Sequence, residues 1–344
     1  MIGKQPMSYI IFGFCVLMVA SFVGNKIKQK FQNKEQDDDY ELIKKYLLND
    51  STLYGNNRPK IWIHSEYEIN ARKWKNFMSR NTTDLNQPYL YLTIQSIINH
   101  CGDDFHICLI DDDSFEKLIP SWTINLADTP EPMRSKYRDI AMLQLLYIYG
   151  GFRVPNSFLC NKNIIELYKQ GVQDNKVFIA EKRSNYPNTK TFVPDIQFIG
   201  SQKENAKIQE LIQTLTGIVG THFQNDGTFL GTVEKWCQKQ NENQEMNLLD
   251  GKIIGIKTSM GKPVLLDHLM NVDYIDYDNS LLYGIYIPRK ELLRRPKYQY
   301  FAILPVEDVL ETDSILSKYF KISMVDGVDQ FYKKRSKHES VVSL

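Results

Sequence analysis

The chain has 344 residues, 42% of them hydrophobic, and a formal net charge of +1. The near-neutral balance argues against nucleic acid as the main partner, and the length beyond the first ~50 residues suits one large α/β domain. Five cysteines (Cys15, Cys101, Cys108, Cys160 and Cys237) show no CxxC and no even framework, so buried thiols are expected. The sequence contains no P-loop, no GxGxxG and no internal repeat.

The N-terminus carries an uncharged run from Gln5 to Asn25, bounded by Lys4 and Lys26 and rich in Ile, Phe, Val and Leu. At a rise of ~1.5 Å per residue it is long enough to cross a hydrocarbon core of ~30 Å. Residues 1–25 are therefore expected to form a single transmembrane signal-anchor; a signal peptide cleaved near Ala20 or Gly24 is the alternative. Lys26, Lys28, Lys30 and Lys34 follow the run and only Lys4 precedes it, which places the globular domain in the cytosol by the positive-inside rule. Sequons at Asn49 and Asn81 are compatible with the opposite, lumenal (ER or Golgi) arrangement. Residues 26–57 are polar and form a stem, with Asp37, Asp38 and Asp39 and a short helix-like piece from Tyr40 to Leu48.

Next come PKIWIH at Pro59 to His64, a short apolar strand, and Gln87 to His100, whose Leu90, Ile94, Ile97 and Ile98 repeat at helical spacing. FHICLIDDD at Phe105 to Asp113 is a second strand, ending in carboxylates. Strand, helix and strand in this order predict a parallel sheet. A longer amphipathic helix from Arg134 to Tyr149 stops at Gly150 and Gly151, and Phe152 to Val154 predicts a third strand beside the first two. Downstream, Val177 to Lys182, Ile196 to Gly200 and Lys252 to Lys257 predict strands, while Asn205 to Leu215 and Thr228 to Gln240 predict helices. Residues 333–344 carry a basic run, expected to be a solvated, disordered tail, with a membrane-binding patch as the alternative.

The segment SKYRDIAMLQLLYIYGGFRVPNSF, Ser135 to Phe158, resembles the DxD-containing GT-A glycosyltransferases, in particular the family of initiating mannosyltransferases and capsular-polysaccharide sugar transferases. The variant GGFRVPNSF is also similar to that of members in large DNA viruses. The resemblance covers roughly Pro59 to Gly200. It implies a GT-A (Rossmann-like) nucleotide-diphospho-sugar transferase fold over residues 58–332, with a mostly parallel central sheet. A UDP- or GDP-sugar donor and a glycan or lipid-linked acceptor follow from the same resemblance. Aligned on LYIYGG, Asp139 falls on the family's nucleotide-contacting aspartate and Met142 on its arginine. Pro155 and Ser157 fall on the two metal-binding aspartates, so no metal site is expected there.

Three constellations are candidates for chemistry. Asp139 shares a helix face with Lys136 and Met142, so it either contacts a nucleotide or forms a salt bridge to Lys136. Asp111 to Asp113 lies where ligands bind in open α/β sheets, and Asp111 with Asp113 is the backup site for Mn²⁺ or Mg²⁺. The competing reading is a helix cap, Asp113 with Glu116. Arg153, with Asn156 and Ser157 beside it, supplies a metal-free phosphate contact or else points to solvent.

The second half of the chain would hold the acceptor, with Asp195, Asp267 and His268 as candidate acids or ligands and His268 as the more ordinary structural histidine. Aromatic residues from Tyr283 to Tyr300 either stack on sugar faces or, the plainer reading, pack in the core or on the surface. Two functional classes stay open, a membrane-anchored hexosyltransferase and an inactive GT-A domain used as a binding or scaffold protein.

Overall fold

Short apolar runs that are buried on both faces build the centre of the molecule, as parallel strands covered by helices require. β1 (Lys60–His64), β2 (His106–Ile110) and β3 (Gly151–Arg153) are neighbours in the order β2-β1-β3, and both ladders are parallel. Ile61, Trp62 and Ile63 at the centre have no exposed surface. This computed structural model describes residues 58–65, 87–184, 191–219 and 226–324. The anchor 1–25, the stem 26–57, both sequons, Cys15 and the tail 333–344 lie outside the described residues. No described helix is long and apolar enough to cross a membrane.

The sheet continues through β6 (Phe192–Ser201), β5 (Val177–Arg183) and β7 (Met246–Leu249), giving six strands in the order β2-β1-β3-β6-β5-β7. β6 pairs antiparallel with both its neighbours and β5 pairs parallel with β7, so five strands share one direction and β6 alone opposes them. A smaller two-stranded sheet joins β4 (Phe158–Cys160) to β8 (Gly284–Tyr286). The expected helices occur as Tyr89–Cys101, Met133–Tyr149, Ala206–Val219 and Asp226–Glu242.

The double glycine after the 133–149 helix has a steric cause. Gly150 and Gly151 have φ of 67° and 110°. A Cβ on Gly150 would stand 2.7 Å from the Lys203 backbone nitrogen, and one on Gly151 would stand 2.4 Å from the Lys60 carbonyl oxygen. The pair lets the chain leave the helix and enter the sheet between β1 and β6 without side chains in the way.

One expected strand is absent. Lys252 to Lys257 is a chain of turns, with Ile253 N–H donating to Asp250 and Ile256 N–H to Gly251. Gly255 at φ 68° breaks the extension, and Ile254 and Ile256 are buried by packing and not by strand pairing. β7, with its half-exposed MNLL, occupies the sheet edge instead. The region after residue 264 is a set of short helices around an apolar cluster that includes Leu266, Ile275, Leu292, Phe301 and Phe320.

Cys101, Cys108, Cys160 and Cys237 are free and buried, as expected. The Cys101 and Cys160 sulfurs lie 3.8 Å apart. Burial pushes the Cys108 and Cys237 thiols up to about 12.

Candidate functional site

The C-terminal ends of β1, β2 and β3 bring His64, Asp111 to Asp113 and Arg153 to one edge of the sheet. The 133–149 helix crosses this edge with Arg138 and Asp139, and β6 adds Asp195 and Gln197, which alternate at period two and so share a face. A cleft with a volume of about 290 Å³ opens here, near the lower end of small-molecule sites.

Asp139 and Arg153 meet at the base of the cleft. Arg153 Nη2 donates to Asp139 Oδ1 at 2.7 Å and to Gln197 Oε1 at 2.9 Å, and Gln197 Nε2 donates to the same Asp139 oxygen at 2.8 Å. Arg153 is 5% exposed, so it does not point to solvent. The ion-pair partner of Asp139 seen here is Arg153, contributed by a strand, and not Lys136 one helical turn away. Met142, on the same helix face as Asp139, is wholly buried. Arg153 Nη1 is buried and has no hydrogen-bond partner among the described residues.

A second aspartate–arginine pair lies at the adjacent strand end. Arg138 donates from Nε and Nη2 to the two oxygens of Asp112 at 2.8 and 2.7 Å, and His64 Nε2 lies 2.9 Å from Oδ1. Burial works to raise the Asp112 pKa, but hydrogen bonds from His64 and Arg138 outweigh it and hold the carboxyl well below the usual carboxylate range.

The other two members of the triad are placed apart from any shared ligand. Asp111 Oδ1 accepts from Ser114 N–H and Oγ at 2.9 and 2.6 Å. Asp111 thus caps the Ser114–Leu118 helix, and the exposed Asp113 makes no side-chain cap bond, which corrects the expected Asp113 with Glu116 cap.

A divalent ion of the kind the resembled family uses needs converging oxygen ligands. Pro155 has no side-chain ligand atom, Ser157 offers a neutral hydroxyl and is buried, Asp111 is held by Ser114, and Asp112 is clamped by Arg138. No group of three metal-ligating side chains occurs among the described residues. The residues present do not fit that ion.

Asn156 and Ser157 follow β3 as a buried turn in which Phe158 N–H donates to Pro155 O, and both line the cleft. Across it, Lys182 Nζ is 3.1 Å from Asp195 Oδ1. Tyr286 of β8 also lines the cleft; burial first, then the Asp195 charge, pushes its phenol well above its usual range, so it presents a neutral hydroxyl. It is the one tyrosine of the aromatic segment on this wall, while Tyr298 is in the core. Six cationic side chains line the cleft, Arg138, Arg153, Lys182, Arg183, Arg289 and Lys290, against three acids, Asp139, Asp195 and Glu291; the charge of Arg138 is met from outside the lining by Asp112, so the excess rests on the other five.

Asp267 and His268 lie outside this wall. Asp267 accepts from Arg295 and, at 2.6 Å, from Tyr298 Oη, while His268 Nδ1 accepts the Leu265 N–H at 3.1 Å. Both tie down the Leu266–Leu269 turn of helix. His64, Arg138 and Gln197 were not singled out from sequence; the signal for Gln197 was a second polar residue two positions after Asp195 inside an apolar strand.

No family model matches this chain, and no curated protein matches it. Among solved structures it is similar to the crystal structure of the apo-form glycosyltransferase GlyE in Streptococcus pneumoniae TIGR4, at 10% identity and a TM-score of 0.35, over 57% of this chain and 46% of that one. The chain thus spans less than half the length of that protein.

Proposed function

We propose that the chain is a membrane-anchored, glycosyltransferase-like protein with a GT-A domain whose cleft binds a UDP- or GDP-sugar. The observation that carries this reading is the convergence of Asp139, Arg153, Asn156 and Ser157, the residues of the resembling segment, on one cleft at the C-terminal ends of parallel strands. Ligands of open α/β sheets bind at that edge, and an excess of cations suits a diphosphate. In the transfer, the bond from the anomeric carbon to the diphosphate oxygen breaks and a bond to the acceptor hydroxyl oxygen forms. The acceptor loses its proton and the nucleoside diphosphate leaves with the charge. Asp139 would hold the nucleoside, and the acceptor, a glycan or a lipid-linked sugar, would enter over the wall formed by Asp195 and Tyr286.

A second reading, an inactive binding or scaffold domain, is favoured by Pro155 and Ser157 at the family's acidic positions and by Met142 at its arginine. Titration of the full chain with UDP, GDP and their hexose conjugates, followed by assay of nucleoside diphosphate release, separates the two. Binding with release supports transfer, and binding without release supports the scaffold. Absence of any nucleotide binding would remove the transfer reading and leave the scaffold reading as the better one. Anchoring through residues 5–25 with a cytosolic domain is part of the proposal, and protease protection of the domain in sealed vesicles whose cytosolic face is outward would reverse that orientation.

A further inference from the structure

The geometry points to a diphosphate site that works without a divalent ion, in which the buried Arg153 takes the ion's electrostatic role; this rests on the nucleotide reading above. A diphosphate needs positive charge or oriented donors around its oxygens, whether they come from a metal or from side chains. The positions where the resembled family supplies carboxylates hold Pro155 and Ser157, and neither gives a dication a charged ligand. Of the nearby aspartates, Asp111 is engaged by Ser114, Asp112 by His64 and Arg138, and Asp139 by Arg153 and Gln197, while the exposed Asp113 stands alone and gives an ion a single carboxylate.

Arg153 has the opposite character. Its Nη2 is held by two acceptors, which fixes the guanidinium plane, while Nη1 is buried and has no partner among the described residues. Buried donors in native proteins are paired, and an unpaired one on a charged group is costly. Arg153 lines the cleft, and a small shift of the side chain that uncovers Nη1 lets a phosphate oxygen supply the missing acceptor. Lys182 also lines the cleft, paired with Asp195 at 3.1 Å, and adds a point cation and not a fixed fork. Asp139 then positions the guanidinium as well as facing the nucleoside, and the cation excess of the cleft is the feature a metal ion would otherwise provide.

The test is calorimetry on the full chain with inorganic pyrophosphate, UDP and GDP, each in EDTA and in Mn²⁺. The expected result is binding in EDTA that Mn²⁺ changes by less than about twofold and that weakens steeply with salt. Arg153→Gln is expected to weaken pyrophosphate binding by about tenfold or more, as loss of one charge-assisted bond implies. Because Arg153 is buried, its variant is compared by thermal melt. Lys182→Gln at the more exposed wall, expected to cost a few-fold, tests the same idea without touching the buried pair. Binding that requires Mn²⁺, or pyrophosphate affinity unchanged in both variants, overturns the inference. Pyrophosphate binding in EDTA that depends on Arg153, with neither UDP nor GDP competing, upholds the anion site and removes the nucleotide reading instead.

Discussion

Two aspartate–arginine pairs stand at neighbouring strand ends, and they are built for different work. In the Asp112 pair the guanidinium grips both carboxylate oxygens and His64 adds a third contact, so the acid is saturated. In the Asp139 pair one carboxylate oxygen receives both Arg153 and Gln197, and the guanidinium keeps a buried nitrogen with no described partner. A saturated pair clamps a loop to a helix. A pair with spare donor capacity, in a cleft with excess positive charge, is a receptor for an anion.

The largest expected effect separates the two roles. Asp139→Ala leaves Arg153 as an uncompensated charge with 5% exposure, and breaking a buried pair from one side costs about 3–5 kcal/mol. Chemical denaturation should show that loss for the single variant and a partial recovery for Asp139→Leu combined with Arg153→Met, which removes both charges. If the single variant costs under about 1 kcal/mol, the pair is already solvated and the comparison fails.

Much of the first half of the fold was legible because its signals are local. The runs at Pro59 to His64 and Phe105 to Asp111 are short, apolar and punctuated, and the 133–149 helix ends at glycines that steric contact makes necessary. The region from Lys252 onward was not, since Ile254 and Ile256 look like strand residues but are buried by tertiary packing against turns. At the site, Asp139, Arg153, Asn156 and Ser157 were named, yet their pairing was not. Arg153 lies fourteen positions from Asp139 and Gln197 a further forty-four from Arg153, and no periodicity within one element encodes a contact between three. The aspartate triad shows the same limit: three adjacent carboxylates look alike in sequence, whereas Asp111, Asp112 and Asp113 have three different environments.

Asp112→Asn is expected to have a smaller effect, about 2 kcal/mol at pH 7, because charge-assisted bonds are lost from a partly buried site while one acceptor oxygen stays. Its pH dependence has a definite sign. The folded carboxyl is held below the ordinary value of about 3.9, so as the pH falls the unfolded chain takes up this proton first. The stabilisation is complete well above pH 4 and is lost as the pH drops through the folded value. The gap between wild type and Asp112→Asn in denaturant midpoints should therefore narrow below about pH 4. A gap that widens in acid would mean that Asp112 is not held ionised by His64 and Arg138.

Gln197→Leu sharpens the comparison with the smallest stability change. It deletes one acceptor from Arg153 and one donor to Asp139, both at normal distance, while the ion pair itself survives, so a loss of about 1–2 kcal/mol is expected. The informative quantity is anion affinity. Without Gln197 the guanidinium is oriented by Asp139 alone, and its unpartnered Nη1 is no longer fixed relative to the cleft. Pyrophosphate binding in EDTA should fall by more than the modest stability loss suggests, whereas in Asp112→Asn it should stay within about twofold of wild type, because the saturated pair has nothing to offer a ligand. Equal losses of affinity in the two variants would show that both pairs contribute to one electrostatic field, and the division of labour between clamp and receptor would be wrong.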